Sequence, residues 1–138
     1  MQTLNVISAT YILTCDEDFS VLKDKVIIFD DKIQEIIPLE EAKKRYNNIT
    51  YFEDSIIMPG LVNLHTHLEF GANEGTLKYG SFDSWLDSVI RSREALFSQC
   101  NDELISKQID ELISSGTTTI GEVSSSGIEL VTLAKSPL

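Results

Sequence analysis

The sequence predicts an α/β protein with an all-β beginning and a βα continuation, and three observations carry that prediction. Before Pro59 the apolar residues come in short runs separated by turn residues, which is the mark of strands. After Gly60 an apolar run, two segments of helical period and a β-branched run follow one another, the order of a parallel βα fold. Finally, the chain has 2 histidines, and both stand at the end of that apolar run, as His65 and His67.

Taken in order, "LNVISA" at 4–9, "YILT" at 11–14, "VIIF" at 26–29 and "KIQEII" at 32–37 read as strands. "FDDKI" reads as a tight hairpin between the last two, although Asp-Asp is a weaker turn signal than Asp-Gly. After Pro38, "LEEAKKRY" has acids first and bases last, which suits a short helix and its dipole. "ITYFED" at 49–54 then returns to extended chain.

From Pro59-Gly60 the character changes, because "LVNL" is apolar enough for a buried strand. From Ser81 the period is helical, with Phe82, Trp85, Leu86, Val89 and Ile90 on one face and Leu96 and Phe97 continuing it. A second helix has Asn101 as N-cap, Asp102 and Glu103 in its first turn, Leu104, Ile105, Ile109, Leu112 and Ile113 on its apolar face, and Gly116 just past its end. "TTTIGEV" at 117–123 is a β-branched strand, "SSS" a loop, and "IELVTLAK" at 128–135 the start of another helix.

Composition narrows the function. With 138 residues, 42% hydrophobic and 24% charged, the chain is globular and large enough for one domain's core. A net charge of -11 repels phosphate backbones and anionic lipid, so neither nucleic acid nor membrane is an expected partner. The opening "MQTLNVISATYILT" has no basic segment or cleavage pattern of a secretory signal. Cys15 and Cys100 lie far apart with no CxxC partner, which suits a reducing compartment, and the expected location is cytoplasmic.

Strand side chains alternate, so His65 and His67 at i and i+2 point to one side while Thr66 points away. Two neutral imidazoles so placed can converge on one cation at ~2.0–2.1 Å. The end of a strand is also where parallel α/β barrels carry their functional groups. Spacing alone leaves two polar residues at a strand end as the competing reading.

The wider segment "MPGLVNLHTHLEF" at 58–70 resembles the signature of the amidohydrolase superfamily, in which an "MPGxxNxHxH" segment forms the first barrel strand and supplies two ligands of a catalytic metal. The resemblance covers essentially all 138 residues. It implies that residues 1–58 contribute to a small composite β-sandwich, and that 59–138 begin a (β/α)8 TIM-type barrel with its first two strands and their helices. It also implies one divalent metal, zinc by default and iron as the alternative, held by His65 and His67.

"HTHLEF" followed by "YGSFDSWLDSVIRSREALF" is most similar to the nucleoside deaminases acting on S-adenosylhomocysteine, methylthioadenosine or aminodeoxyfutalosine. "LEF" and "YGSFDSWL" lean toward the aminodeoxyfutalosine deaminases of a menaquinone pathway. In that group a glutamate in the helix after Trp-Leu binds the substrate ribose, and Glu94 falls on its position; a carboxylate can accept from two vicinal hydroxyls at once. The competing reading makes Glu94 a solvated helix acid beside Arg91 and Arg93. Trp85 is placed to wall the purine, or else to pack in the core with its apolar stripe. Glu69 shares the strand parity of His67 if the strand persists that far, which would make it a pocket residue, and Glu122 is a rim acid of the same kind.

Two histidines do not complete a catalytic zinc site, which takes three protein ligands and water, and the sequence holds no third histidine. A barrel needs eight strands and ~250 residues, whereas only two barrel strands, near Leu61 and Thr117, are legible here, with "KSPL" as the lead-in to a third. The expectation is an N-terminal part of a larger enzyme, inactive alone and with apolar edges awaiting the remainder of its own chain. A nucleoside is the expected substrate and a homodimer the candidate assembly. The rivals are an amidohydrolase of guanine, cytosine, a chlorotriazine or a cyclic amide, and a non-catalytic module with a vestigial motif.

Overall fold

The computed structural model describes residues 3–73 and 75–138; Met1, Gln2 and Glu74, and with them the start of the expected β segment, lie outside the described residues. The chain divides into two compact units, Met1–Pro59 and Gly60–Leu138.

The first unit is a five-stranded sheet, in the order β2-β1-β3-β4 with β5 paired to β1. Its elements are β1 (Asn5–Leu13), β2 (Val21–Leu22), β3 (Lys25–Phe29), β4 (Ile33–Pro38), a helix α1 (Leu39–Arg45) and β5 (Thr50–Ile57). The runs 4–9 and 11–14 are one strand rather than two. The pairing of β1 with β5 shifts register between Ala9 and Tyr11, so an irregularity in the ladder absorbs the break in the apolar pattern. Only β5 runs parallel to β1; β2 and β3 are antiparallel to it.

The hairpin between β3 and β4 forms without a glycine because Asp30 supplies the turn. Its side chain accepts from the Lys32 N–H at 3.0 Å and from Gln34 Nε2 at 2.9 Å. Val6, Val26, Ile28 and Ile37 form the core of this unit with Ala42 of α1. Arg45, at the basic end of α1, binds Glu35 of β4 at 2.7 Å and ties helix to sheet.

The second unit contains β6 (Leu61–Thr66), a 3-10 turn (Leu68–Asn73), α2 (Phe82–Gln99), α3 (Asp102–Ser114), β7 (Thr117–Glu122) and a single helical turn α4 (Leu130–Leu133). β6 and β7 pair in parallel, from Leu61 opposite Thr117 to Thr66 opposite Glu122, with the two long helices as the crossover. Asn101 caps α3 by accepting from the Leu104 N–H at 2.9 Å. Gly116, at φ 91°, turns the chain out of α3 into β7. Leu68, Cys100, Ile105 and Ile109 form the core between the 3-10 turn and α3.

Three expectations are corrected. The segment 128–135 is helical for one turn only: its last N–H groups close back over three residues, Lys135 to Thr132 and Ser136 to Leu133, instead of continuing the α-helical pattern. The β6 run, expected to be buried, exposes Leu61, Val62 and Leu64. On α2 the apolar stripe at Phe82, Trp85, Leu86 and Ile90 is exposed as well, while Ser88 and Leu96 are buried. In both places the described residues cover only part of an apolar surface. No helix among the described residues is long and apolar enough to cross a membrane.

Candidate metal centre

β6 ends at Thr66, so His65 is its penultimate residue and His67 the first beyond it. Strand alternation still holds across that boundary. Thr66 is buried toward β7, and the two imidazoles lie side by side with their Nε2 atoms 3.0 Å apart and their rings edge to face. Two Nε2 atoms on one tetrahedral ion at ~2.0–2.1 Å stand ~3.3 Å apart, so the spacing needs only a small adjustment to accept a cation.

The backbone around the pair is tied down on both sides. Asn63 Oδ1 accepts from the His65 N–H at 3.1 Å. On the far side of His67 lies Phe70, with ring centroids 5.2 Å apart, and Phe70 in turn stacks on Phe97 of α2. The second nitrogen of His67, Nδ1, is buried and has no hydrogen-bond partner among the described residues. The two converging Nε2 atoms supply two of the donors that a divalent metal takes. Among the described residues no group of three or more His, Cys, Asp or Glu converges as a metal site.

The other expected site residues are not brought to the pair together. Glu69 lies on the 3-10 turn rather than on a longer β6, so the parity argument does not apply to it. It is fully buried, and its carboxylate accepts from Ser125 N–H at 3.0 Å, Ser126 N–H at 3.2 Å and Ser126 Oγ at 2.8 Å, all on the loop after β7. Burial pushes its carboxyl up, but these hydrogen bonds outweigh it and hold the group below the ordinary carboxylate range. Trp85 is 41% exposed and packs on Phe82 at 5.7 Å. Glu94 is exposed on α2, nine residues further on, which at ~100° per residue puts it on the opposite side of the helix from Trp85. Neither neighbouring cation is turned to Glu94: Arg91 pairs with Asp87 at 2.9 Å and Arg93 lies over Phe97.

Glu122 has a more specific place than a rim acid. One carboxylate oxygen accepts from Thr66 Oγ1 at 2.6 Å and the other from the Leu68 N–H at 2.9 Å. The sequence marks it only as an acid directly after Gly121 at a strand end; its partners follow from the parallel register of β6 and β7, which spacing within one segment does not reveal. Cys100 offers no competing nucleophile, since burial pushes its thiol up, with nearby Glu69 and Glu129 adding to the effect.

A parallel βα unit with two imidazoles converging at the end of its first strand is the arrangement used by metal-binding βα-barrel proteins. The chain belongs to the amidohydrolase family, whose model matches residues 56–137, more than half of it. It is 42% identical over 113 residues to an aminodeoxyfutalosine deaminase of a Nitratiruptor species, covering 80% of this chain and 28% of that protein. It is 35% identical over 135 residues to an adenosine deaminase of Helicobacter pylori, covering 96% of this chain and 33% of the other.

Among solved structures, the Helicobacter pylori aminofutalosine deaminase in complex with methylthio-coformycin superimposes with a TM-score of 0.85 at 34% identity, over 97% of this chain and 33% of that one. The chain thus spans about a third of the length of these relatives, and its fold is the beginning of an amidohydrolase TIM-type barrel preceded by a mainly β segment. Members of this family are typically metal-dependent.

Proposed function

We propose that the protein carrying this segment is a metal-dependent deaminase of a 6-aminopurine nucleoside, of the aminodeoxyfutalosine, adenosylhomocysteine or methylthioadenosine type. The observation that carries the proposal is the pair of Nε2 atoms 3.0 Å apart at the end of β6, in a chain similar to proteins named for deaminating aminodeoxyfutalosine and adenosine. On this reading residues 1–58 are the chain's share of a composite β-sandwich, and 59–138 the opening of the metal-dependent barrel. The exposed faces of β6 and α2 fit that placement, since further barrel strands and helices would cover them.

His65 and His67 would hold one divalent ion, zinc by default, with iron equally suited to neutral imidazoles. When bound, the ion supplies the Lewis acidity that makes a hydroxide nucleophile available near neutral pH for addition to C6 of the purine. Asn63 and Phe70 fix the backbone and ring of the two ligands. Glu94 accepts from the ribose hydroxyls, whereas Trp85, on the opposite side of α2, belongs with Phe82 to the exposed apolar stripe that the rest of the barrel would cover. The remaining ligands and the proton-transfer groups that release ammonia belong, on this reading, to the two thirds of the relatives' length outside this segment. A cytoplasmic setting is supported by Cys15 and Cys100 both being free thiols. A homodimer is the proposed assembly.

The test is ammonia release by the full-length metal-loaded protein from aminodeoxyfutalosine, methylthioadenosine and adenosylhomocysteine. Turnover of at least one is expected. Ammonia from guanine or ring opening of a cyclic amide, with no ammonia from any 6-aminopurine nucleoside, would overturn the substrate assignment and leave the family chemistry in place.

A further inference from the structure

Parallel strands β6 and β7 exchange more than ladder hydrogen bonds at their C-terminal ends. Glu122, the last residue of β7, reaches across to the two residues that bracket His67: Thr66, whose hydroxyl donates to Oε2 at 2.6 Å, and Leu68, whose N–H donates to Oε1 at 2.9 Å. The Thr66 carbonyl accepts from the Val123 N–H at 2.8 Å, and its hydroxyl also lies 3.3 Å from the Gly121 carbonyl. Two residues beyond His67, Glu69 returns the contact, binding Ser125 and Ser126 of the loop that follows β7. Each carboxylate therefore holds the backbone of the other segment, and His67 lies between the two clamps.

From this geometry we propose that Glu122 is a positioning residue for His67. His67 has just left the strand, so the β6 ladder no longer fixes its φ and ψ. Fixing Thr66 on one side and the Leu68 amide on the other pins the peptide groups that carry His67, and Phe70 limits rotation of its ring. A carboxylate suits the task because it accepts two hydrogen bonds at once and both donors are uncharged, giving charge-assisted bonds without a competing ion pair. Partners that orient ligands typically change metal affinity ~10–100-fold when removed.

The inference rests on His65 and His67 being metal ligands. The experiment compares metal affinity, by chelator competition, and the visible spectrum of the cobalt-substituted protein among full-length wild type, Thr66→Val, Thr66→Ser, Glu122→Gln and Glu122→Ala. All are read far below the melting temperature of the metal-free protein, so that a loss of stability alone does not move the result.

Thr66→Val and Glu122→Ala are expected to weaken metal binding about 10-fold or more and to shift the cobalt spectrum, with Thr66→Ser restoring both. If the Glu122 variants fail to fold, the Val and Ser substitutions at Thr66 decide the matter. Folded Thr66→Val with wild-type affinity and spectrum would overturn the proposal while leaving the metal site standing. Wild-type protein that binds no metal would instead sink the metal reading, and this proposal with it.

Discussion

Gly121 passes so close to Leu64 that a Cβ placed on it would stand 2.6 Å from the Leu64 carbonyl oxygen. The contact joins the penultimate residue of β7 to the residue before His65, so the spacing of the two strands at the metal end depends on the missing side chain. Gly121→Ala is expected to push the strands apart, cost about 1–3 kcal/mol in urea denaturation and weaken metal binding together with it. Unchanged stability and metal affinity would show that the strands yield freely at this point.

Ile105 is fully buried in the core that seats the 3-10 turn following His67. Ile105→Ala should destabilise the protein by about 2–5 kcal/mol, since a cavity adds to the lost transfer energy. Urea unfolding measures it, and a loss under about 1 kcal/mol would place Ile105 outside the structural core.

Glu94 carries the ribose assignment. Glu94→Gln should raise KM for a ribonucleoside about 10-fold, as expected for hydrogen bonds to a charged acceptor. A 2′-deoxy substrate should narrow the gap between variant and wild type. Equal KM values for the ribonucleoside would remove Glu94 from the site.

The Asp30 carboxyl is held down at about 2 from its ordinary 3.8, chiefly by the Lys32 N–H and then by Gln34. A depressed folded-state pKa means that its contribution is complete above 3.8 and is lost as pH falls toward 2. The melting-temperature difference between wild type and Asp30→Asn should therefore be constant near neutral pH and shrink below 3.8. A difference independent of pH would mean that the charge plays no part in the hairpin.

Much of this was legible because it was local. The caps of α3, the acid-to-base order of α1 and the i, i+2 histidines all depend on neighbours a few residues away. The merging of two runs into β1 was not legible, since a parallel partner more than 40 residues downstream decides it. The roles of Glu69 and Glu122 were hidden for the same reason: each reaches a segment over 50 residues distant. Trp85 shows a different limit, because helical period identifies an apolar face without saying what will cover it.

The central claim is that His65 and His67 hold a divalent metal, and elemental analysis of the full-length protein beside its His65→Ala/His67→Ala double variant tests it most directly. About one zinc or iron per wild-type chain and almost none in the folded double variant is the predicted result. Equal metal content in the two proteins would contradict it.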